Sequence, residues 1–256
     1  MLQINFKKLN LFFIVLLFSL NCFGQQSDTL KVLFVGNSYT YYWNLPQMVS
    51  ALAKGGDTVI KARKSTLGGA TLMQHWEGER GLETKNTISE GEWDVVVLQN
   101  HSKSTIANPE GFMDYGKKFI GLVKETGARP LLYMTWARAY NPLMQKTVST
   151  GYRSLAETTG VDVAKVGEVW EQARLLRPDL ELFDSDGSHP SPLGTYLTAC
   201  VFYKILTGKA SKGLSGRLSG IDQDGETLFL SGSSDGDAEF IHQLVDKMIV
   251  EKMVWE

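Results

Sequence analysis

Cysteine is nearly absent from this chain: there are two, Cys22 and Cys200, in 256 residues. That excludes a small scaffold stapled by disulfides, which needs several bridges to replace a core. Proline is sparse as well, at seven, too few for a collagen-like or proline-rich extended chain. Neither sign of charge prevails, since 26 Lys and Arg face 28 Asp and Glu for a formal net charge of −2. The basic excess that marks a nucleic-acid surface is therefore missing. Long apolar runs are missing too, apart from one near the start. What remains, 43% hydrophobic and 21% charged residues, is the composition of an ordinary globular domain, and the length suits one α/β domain.

The one apolar run is Leu9–Leu20, broken only by Asn10 and Ser19 and preceded by Lys7 and Lys8. A basic start, a short apolar stretch and small residues after it define a secretory signal peptide. Residues 1–24 are expected to be that peptide, with Cys22 and Gly24 at the −3 and −1 positions and cleavage before Gln25. The run is shorter than the ~20 residues of a spanning helix, which disfavours a retained membrane anchor. Asn21 is not the small residue expected before a lipidated Cys22. The mature chain, 25–256, would then have 256 − 24 = 232 residues and a charge of −4, because two lysines leave with the peptide. The expected location is secreted or periplasmic. Cys200 would be its one cysteine, and its apolar setting, Leu197–Leu206, predicts a buried, inert thiol.

Short β-branched runs alternate with helical patterns through the rest. Leu30–Val35, Thr58–Ala62, Asp94–Leu98, Pro130–Thr135 and Val161–Val166 read as strands. Val95-Val96-Val97-Leu98 is apolar on both faces, as a buried parallel strand is. Helices are expected at Leu45–Ala53, Gly111–Thr126, Leu143–Thr159, Val169–Leu176, Pro192–Thr207 and Ala238–Met253. Ser211–Asp237 is rich in Gly, Ser and Asp and reads as loops around one short segment, Thr227–Leu230. The alternation predicts a three-layer α/β/α sandwich on a central, mostly parallel five-stranded sheet. In such sheets ligands bind beyond the carboxyl ends of the strands.

Four polar clusters fall at such ends or just before a helix. The first strand leads into Gly36-Asn37-Ser38, a tight turn that presents a hydroxyl near a helix start. The second leads into Gly68-Gly69-Ala70-Thr71, where a glycine lets a backbone N–H approach a ligand. Gln99-Asn100-His101-Ser102 follows the third strand and carries two side-chain amide donors. Asp186-Gly187-Ser188-His189-Pro190 precedes the helix at Pro192. A carboxylate three residues before a histidine can accept its Nδ1–H and leave Nε2 as a base. Each cluster alone is also ordinary turn or cap chemistry. Together they supply a nucleophile, an oxyanion hole and an oriented base, the inventory for acyl transfer.

This order and spacing resemble the SGNH (GDSL-like) hydrolase family, most specifically at Gly36-Asn37-Ser38 and Asp186-Gly187-Ser188-His189-Pro190, over nearly all of the mature chain. The resemblance implies a flavodoxin-like sandwich and a triad of Ser38, His189 and Asp186. The oxyanion hole would be formed by Ser38, Gly69 and Asn100. Two departures leave alternates. The family's third block reads Gly-x-Asn-Asp, whereas here Gln99 competes with Asn100; Gly68 competes with Gly69. No cofactor is implied, and His75, His101 and His242 lack the paired spacing of a metal site. A competing match, Gly232-Ser233-Ser234-Asp235-Gly236, fits the Gly-x-Ser-x-Gly nucleophile-elbow pattern but leaves too little chain after it for an acid and a histidine loop.

The aromatics Tyr39, Trp43 and Trp76 follow the first two clusters and are candidates for contact with a substrate ring. The expected reaction is hydrolysis of a small acyl ester, an O-acetyl group on a carbohydrate. The alternatives are a lipase- or thioesterase-like hydrolase of other acyl esters, and a non-catalytic glycan-binding protein on the same fold. Nucleic acid is not an expected partner.

Overall fold

The structure is a computed structural model that describes residues 28–221 and 224–250. The expected signal peptide lies outside the described residues.

Strands β1 (Asp28–Gly36), β2 (Thr58–Thr66), β3 (Val95–Leu98), β4 (Arg129–Tyr133) and β5 (Asp162–Ala164) form one sheet in the order β2-β1-β3-β4-β5. All four pairings are parallel. The two-residue period of a strand divides β1 between two cores. Leu30, Val32 and Phe34 join one, and Leu33 and Val35 the other. Val95 and Val97 likewise oppose Val96 and Leu98.

Among the described residues, ten α-helices connect or follow these strands: α1 (Ser38–Tyr41), α2 (Leu45–Leu52), α3 (Leu72–Glu77), α4 (Thr84–Glu90), α5 (Ser104–Ala107), α6 (Pro109–Glu125), α7 (Met144–Thr159), α8 (Val166–Leu176), α9 (Pro192–Thr207) and α10 (Asp235–Met248). Residues of α2, α8, α9 and α10 complete the first core, and residues of α3, α4, α6 and α7 the second. This is the three-layer sandwich that the alternation predicts. From β1 the chain crosses to β2 on one side and then returns to β3 on the other. The crevice outside the ends of β1 and β3 is thus the switch point where open α/β sheets bind ligands.

The differences from expectation have physical reasons. β2 continues four residues past Ala62 to Thr66, because an edge strand carries exposed Arg63 and Lys64 that blunt it against further pairing and hide its apolar pattern. The expected short segment Thr227–Leu230 forms β7 (Thr227–Gly232), and it pairs antiparallel with β6 (Arg217–Ile221), a strand in the stretch read as loops. α10 starts at Asp235, where the Ser234 side chain accepts from Asp237 N; the end of the expected helix, 251–253, lies outside the described residues. Cys200 is buried in the first core, and burial pushes its thiol well up. Among the described residues no helix is long and apolar enough to cross a membrane.

Candidate active site

The turn after β1 is held from three sides. Asn37 donates its backbone N–H to Gln99 Oε1 at 2.8 Å and its side-chain Nδ2 to Ala70 O at 2.9 Å. Its Oδ1 accepts Tyr39 N at 3.1 Å and so caps α1. Gly36 is required here: a Cβ would run into the Gln99 side chain and the Thr40 hydroxyl. Ser38 therefore occupies the first helical position, where a backbone N–H has no intrahelical partner. It is 8% exposed.

His189 is brought to it from the other end of the chain. Its Nε2 lies 2.8 Å from Ser38 Oγ, and its Nδ1 lies 2.5 Å from Asp186 Oδ2. A carboxylate only accepts, so Nδ1 carries the proton and Nε2 is the free base. Asp186 is fully committed, since its Oδ1 also takes the backbone N–H groups of Ser188 at 2.8 Å and His189 at 2.9 Å. Burial pushes this carboxyl up, but the His189 contact and the two backbone bonds outweigh it and hold it at about 2.

Gly69 lies in the turn after β2 at φ 68°, which a glycine adopts without strain. Asn37 ties this turn to the Ser38 turn through Ala70. Gly68 is adjacent, and its carbonyl accepts from Arg80 at 3.2 Å. The two amides after β3 have different surroundings. Gln99 is consumed internally: Oε1 accepts Asn37 N and Thr40 Oγ1, and Nε2 donates to Asn100 O. Asn100 places all its accepting load on Oδ1, which takes Leu72 N at 3.0 Å, His101 N at 2.8 Å and Ser104 Oγ at 2.9 Å. Those bonds orient the amide and leave Nδ2 outside the set. Of the two, Asn100 has the donor to spare.

The expected aromatic contacts separate. Trp43 is 46% exposed, and its Nε1 donates to Pro190 O at 3.0 Å, beside His189. It has φ 49°, and Asn44 after it has φ 55°, a left-handed pair that costs about 1–2 kcal/mol per residue. Tyr39 is buried, stacks on Trp136 at 4.6 Å, and bonds Ser188 Oγ at 2.6 Å; with one face covered by indole it is a wall of the site. Trp76 is not brought to Ser38. Its ring packs edge-on against Phe119 of α6 at 5.2 Å, with Lys85 on its face.

Two residues outside the expected set support the site. Tyr42 stacks on the His189 ring; it belongs to the aromatic run after Ser38, but no sequence period singles it out. His75 is fully buried, and its Nε2 must donate to Gly36 O at 2.9 Å because a carbonyl cannot donate. Burial disfavours a charged ring, so Nδ1 accepts from Thr84 Oγ1 at 2.6 Å, and Thr84 accepts from Ser65 at 2.8 Å. This chain fixes a neutral imidazole beneath the Ser38 turn. Ser234, the central serine of the Gly-x-Ser-x-Gly pattern, caps α10 instead: its Oγ accepts Asp237 N at 3.1 Å and donates to Asp237 Oδ2 at 2.7 Å, with no histidine bonded to it among the described residues. Nor, among them, do three His, Cys, Asp or Glu residues gather as a metal site.

No protein-family model matches the chain, and no curated protein does. Solved structures do. One from Slackia heliotrinireducens, described as a candidate SGNH hydrolase, is 25% identical, covers 69% of this chain and 98% of its own, and has a TM-score of 0.61. A DUF4886 family protein from Bacteroides uniformis is 16% identical, covers 88% and 98%, and has a TM-score of 0.67. An acetyl xylan esterase, AlAXEase, is 16% identical over 68% and 98%, with a TM-score of 0.55. The fold of this chain is that of the SGNH (GDSL-like) hydrolases.

Proposed function

We propose that the protein is an SGNH-type serine esterase that removes a small acyl group, an O-acetyl ester on a carbohydrate. The observation that carries this reading is the continuous line Ser38 Oγ–His189 Nε2 at 2.8 Å and His189 Nδ1–Asp186 Oδ2 at 2.5 Å. Ser38 Oγ bonds to the acyl carbon as its proton passes to His189 Nε2. The negative charge on the former carbonyl oxygen is met by the N–H groups of Ser38 and Gly69 and by Asn100 Nδ2. His189 returns the proton to the departing sugar oxygen, and the acyl–enzyme remains on Ser38. Water then attacks it with His189 as base, releasing acetate. Asp186, ionised down to about pH 2, holds the imidazole in the tautomer that both steps need.

The carbohydrate part of the reading draws on the exposed Trp43 ring at the crevice, a surface on which a sugar face can stack, and on the acetyl xylan esterase among the structural neighbours. Export by residues 1–24 brings the enzyme to polymers outside the cytoplasm. An organophosphonate probe should label Ser38 in folded protein and leave Ser38→Ala unlabelled. Acetate release should exceed release of longer acyl groups across a panel of acylated polysaccharides and lipids, and both Ser38→Ala and His189→Ala should abolish it. Preference for long acyl chains would favour a lipase- or thioesterase-like role. Absence of any adduct would favour a glycan-binding protein.

A further inference from the structure

Arg138 lies beside this site, and among the described residues no carboxylate bonds it. It stands five residues beyond the end of β4, between the loops that carry Asn100 and His189. Its Nη2 donates to Ser102 Oγ at 3.4 Å, two residues after Asn100. The next residue, Ala139, donates its N–H to Gly187 O at 2.8 Å, inside the Asp186–His189 loop. The Tyr39 hydroxyl, on the residue following Ser38, interacts with both Ser102 and Arg138.

Arg129, Arg153 and Arg177 have acidic partners, respectively Asp162, Glu168, and Asp179 with Asp237, whereas Arg80 and Arg174 donate to the backbone carbonyls of Gly68 and Ala139. Among the described residues Arg138 bonds neutral hydroxyls, those of Ser102 and, at 2.8 Å, Tyr140, with that of Tyr39 beside it. Its Nε is buried with no hydrogen-bond partner. A guanidinium has five donors and gains most from an anion in the plane of its fork. Sinking part of it beside a reaction crevice among neutral groups costs solvation without returning a charge pair.

We propose that Arg138 binds a carboxylate of the substrate, so that the ester cleaved is carried by an acidic sugar such as a uronic acid. The inference rests on the esterase reading above and names its substrate class. A single guanidinium balances a single negative charge, which favours a carboxylate over a dianionic phosphate monoester. The exposed ring of Tyr140, held to Arg138 by its hydroxyl, closes the outer side and is the group that gives way when an anion enters.

The test uses one polymer in two charge states: acetylated polygalacturonate, and the same material with its carboxylates methyl-esterified, with acetate release as the readout. The full enzyme should prefer the charged form in kcat/KM by about tenfold or more, the scale of one charge-assisted hydrogen bond, mostly through KM. Added salt should reduce that preference. In Arg138→Gln the ratio should fall close to one, and Arg138→Lys should restore it only in part, because an ammonium lacks the fork. Should Arg138→Gln fail to fold, the Arg138→Lys ratio and the salt dependence of the wild type carry the test. Equal rates on the two polymers, or a preference that survives in Arg138→Gln, would overturn the proposal while leaving the esterase standing. A wild type that releases acetate from neither polymer nor from p-nitrophenyl acetate would overturn the esterase reading and this inference with it.

Discussion

The Tyr42 ring lies flat on the His189 imidazole, with centroids 4.3 Å apart and planes 14° from parallel. It covers one face of the ring while Asp186 and Ser38 hold its two nitrogens. In the proposed reaction His189 takes the Ser38 proton and becomes a cation against an aromatic face, a contact worth about 0.5–2 kcal/mol. Tyr42→Leu should lower kcat for p-nitrophenyl acetate by roughly 3- to 30-fold with little change in KM. Tyr42→Phe should restore most of the rate, since the ring and not the hydroxyl makes the contact. Equal rates for Tyr42→Leu and the wild type would remove Tyr42 from the positioning of His189.

Gln99 and Asn100 should fail in different ways. Gln99→Leu strips the acceptor from Asn37 N and Thr40 Oγ1, leaving buried donors at about 1–3 kcal/mol each. Its main effect should be a Tm lower by several degrees, at roughly 2–4 °C per kcal/mol for a chain of this size. Asn100→Asp keeps the Oδ1 acceptor for Leu72, His101 and Ser104 but removes the Nδ2 donor. It should cost about 10²–10³ in kcat, the scale for one lost oxyanion donor. Melting curves and ester kinetics on both variants decide the assignment. A catalytic loss in Gln99→Leu larger than in Asn100→Asp would reverse it.

The sequence made this pair ambiguous because both residues offer the same amide. Only the partners of each oxygen separate them, and those partners come from the segments that follow β1, β2 and β3. Motifs set by local chemistry were readable instead. Gly36 must be glycine because two side chains crowd it, and Asp186 reaches His189 three residues on. The buried strands β1 and β3 were legible from their apolar runs and β7 from Thr227–Leu230, while the polar edge of β2 and the hairpin partner β6 were not. Trp76 shows the limit of adjacency: it follows the glycine pair in sequence, yet α3 turns it toward Phe119. Tyr42, Arg138 and His75 carry no pattern at all, since their roles exist only through residues distant in the chain.

His75 makes the fold sensitive to acid. Burial holds its imidazole below the usual 6.5, the Gly36 carbonyl pulls it back in part, and the Arg80 charge lowers it further. Burial lowers His101 and His242 too. Below about pH 6.5 the unfolded chain takes up protons that the folded chain refuses. More protons are then bound in the unfolded state, so stability rises with pH and falls as pH drops through that window. Asp186 acts in the same direction lower down. Its stabilisation is complete above about pH 3.9, the usual value for an unfolded Asp, and fades toward its folded value of about 2; because Asp186 is half-exposed, solvent screening keeps that contribution small. Tm should therefore fall between about pH 7 and 5, and less steeply in His75→Gln, which has no proton to bind. A flat or rising Tm over that range would contradict the buried neutral imidazole.

Gly36→Ala tests whether the turn under Ser38 is as tightly packed as its bonds require. The added methyl meets the Gln99 amide oxygen and the Thr40 hydroxyl oxygen, which are themselves bonded to each other at 2.9 Å. Relief requires moving Gln99, which also holds Asn37 N, and Asn37 in turn caps the helix that begins at Ser38. Overpacking of this kind costs about 1–3 kcal/mol, so Tm should fall by about 2–12 °C. The displacement also reaches Ser38, and a small misplacement of a nucleophile is expensive. kcat on p-nitrophenyl acetate should drop by more than the loss of folded protein explains, measured at a temperature well below the variant's Tm. A variant that melts early but retains full kcat when folded would show that the Ser38 turn is set without the Gln99–Asn37 bond.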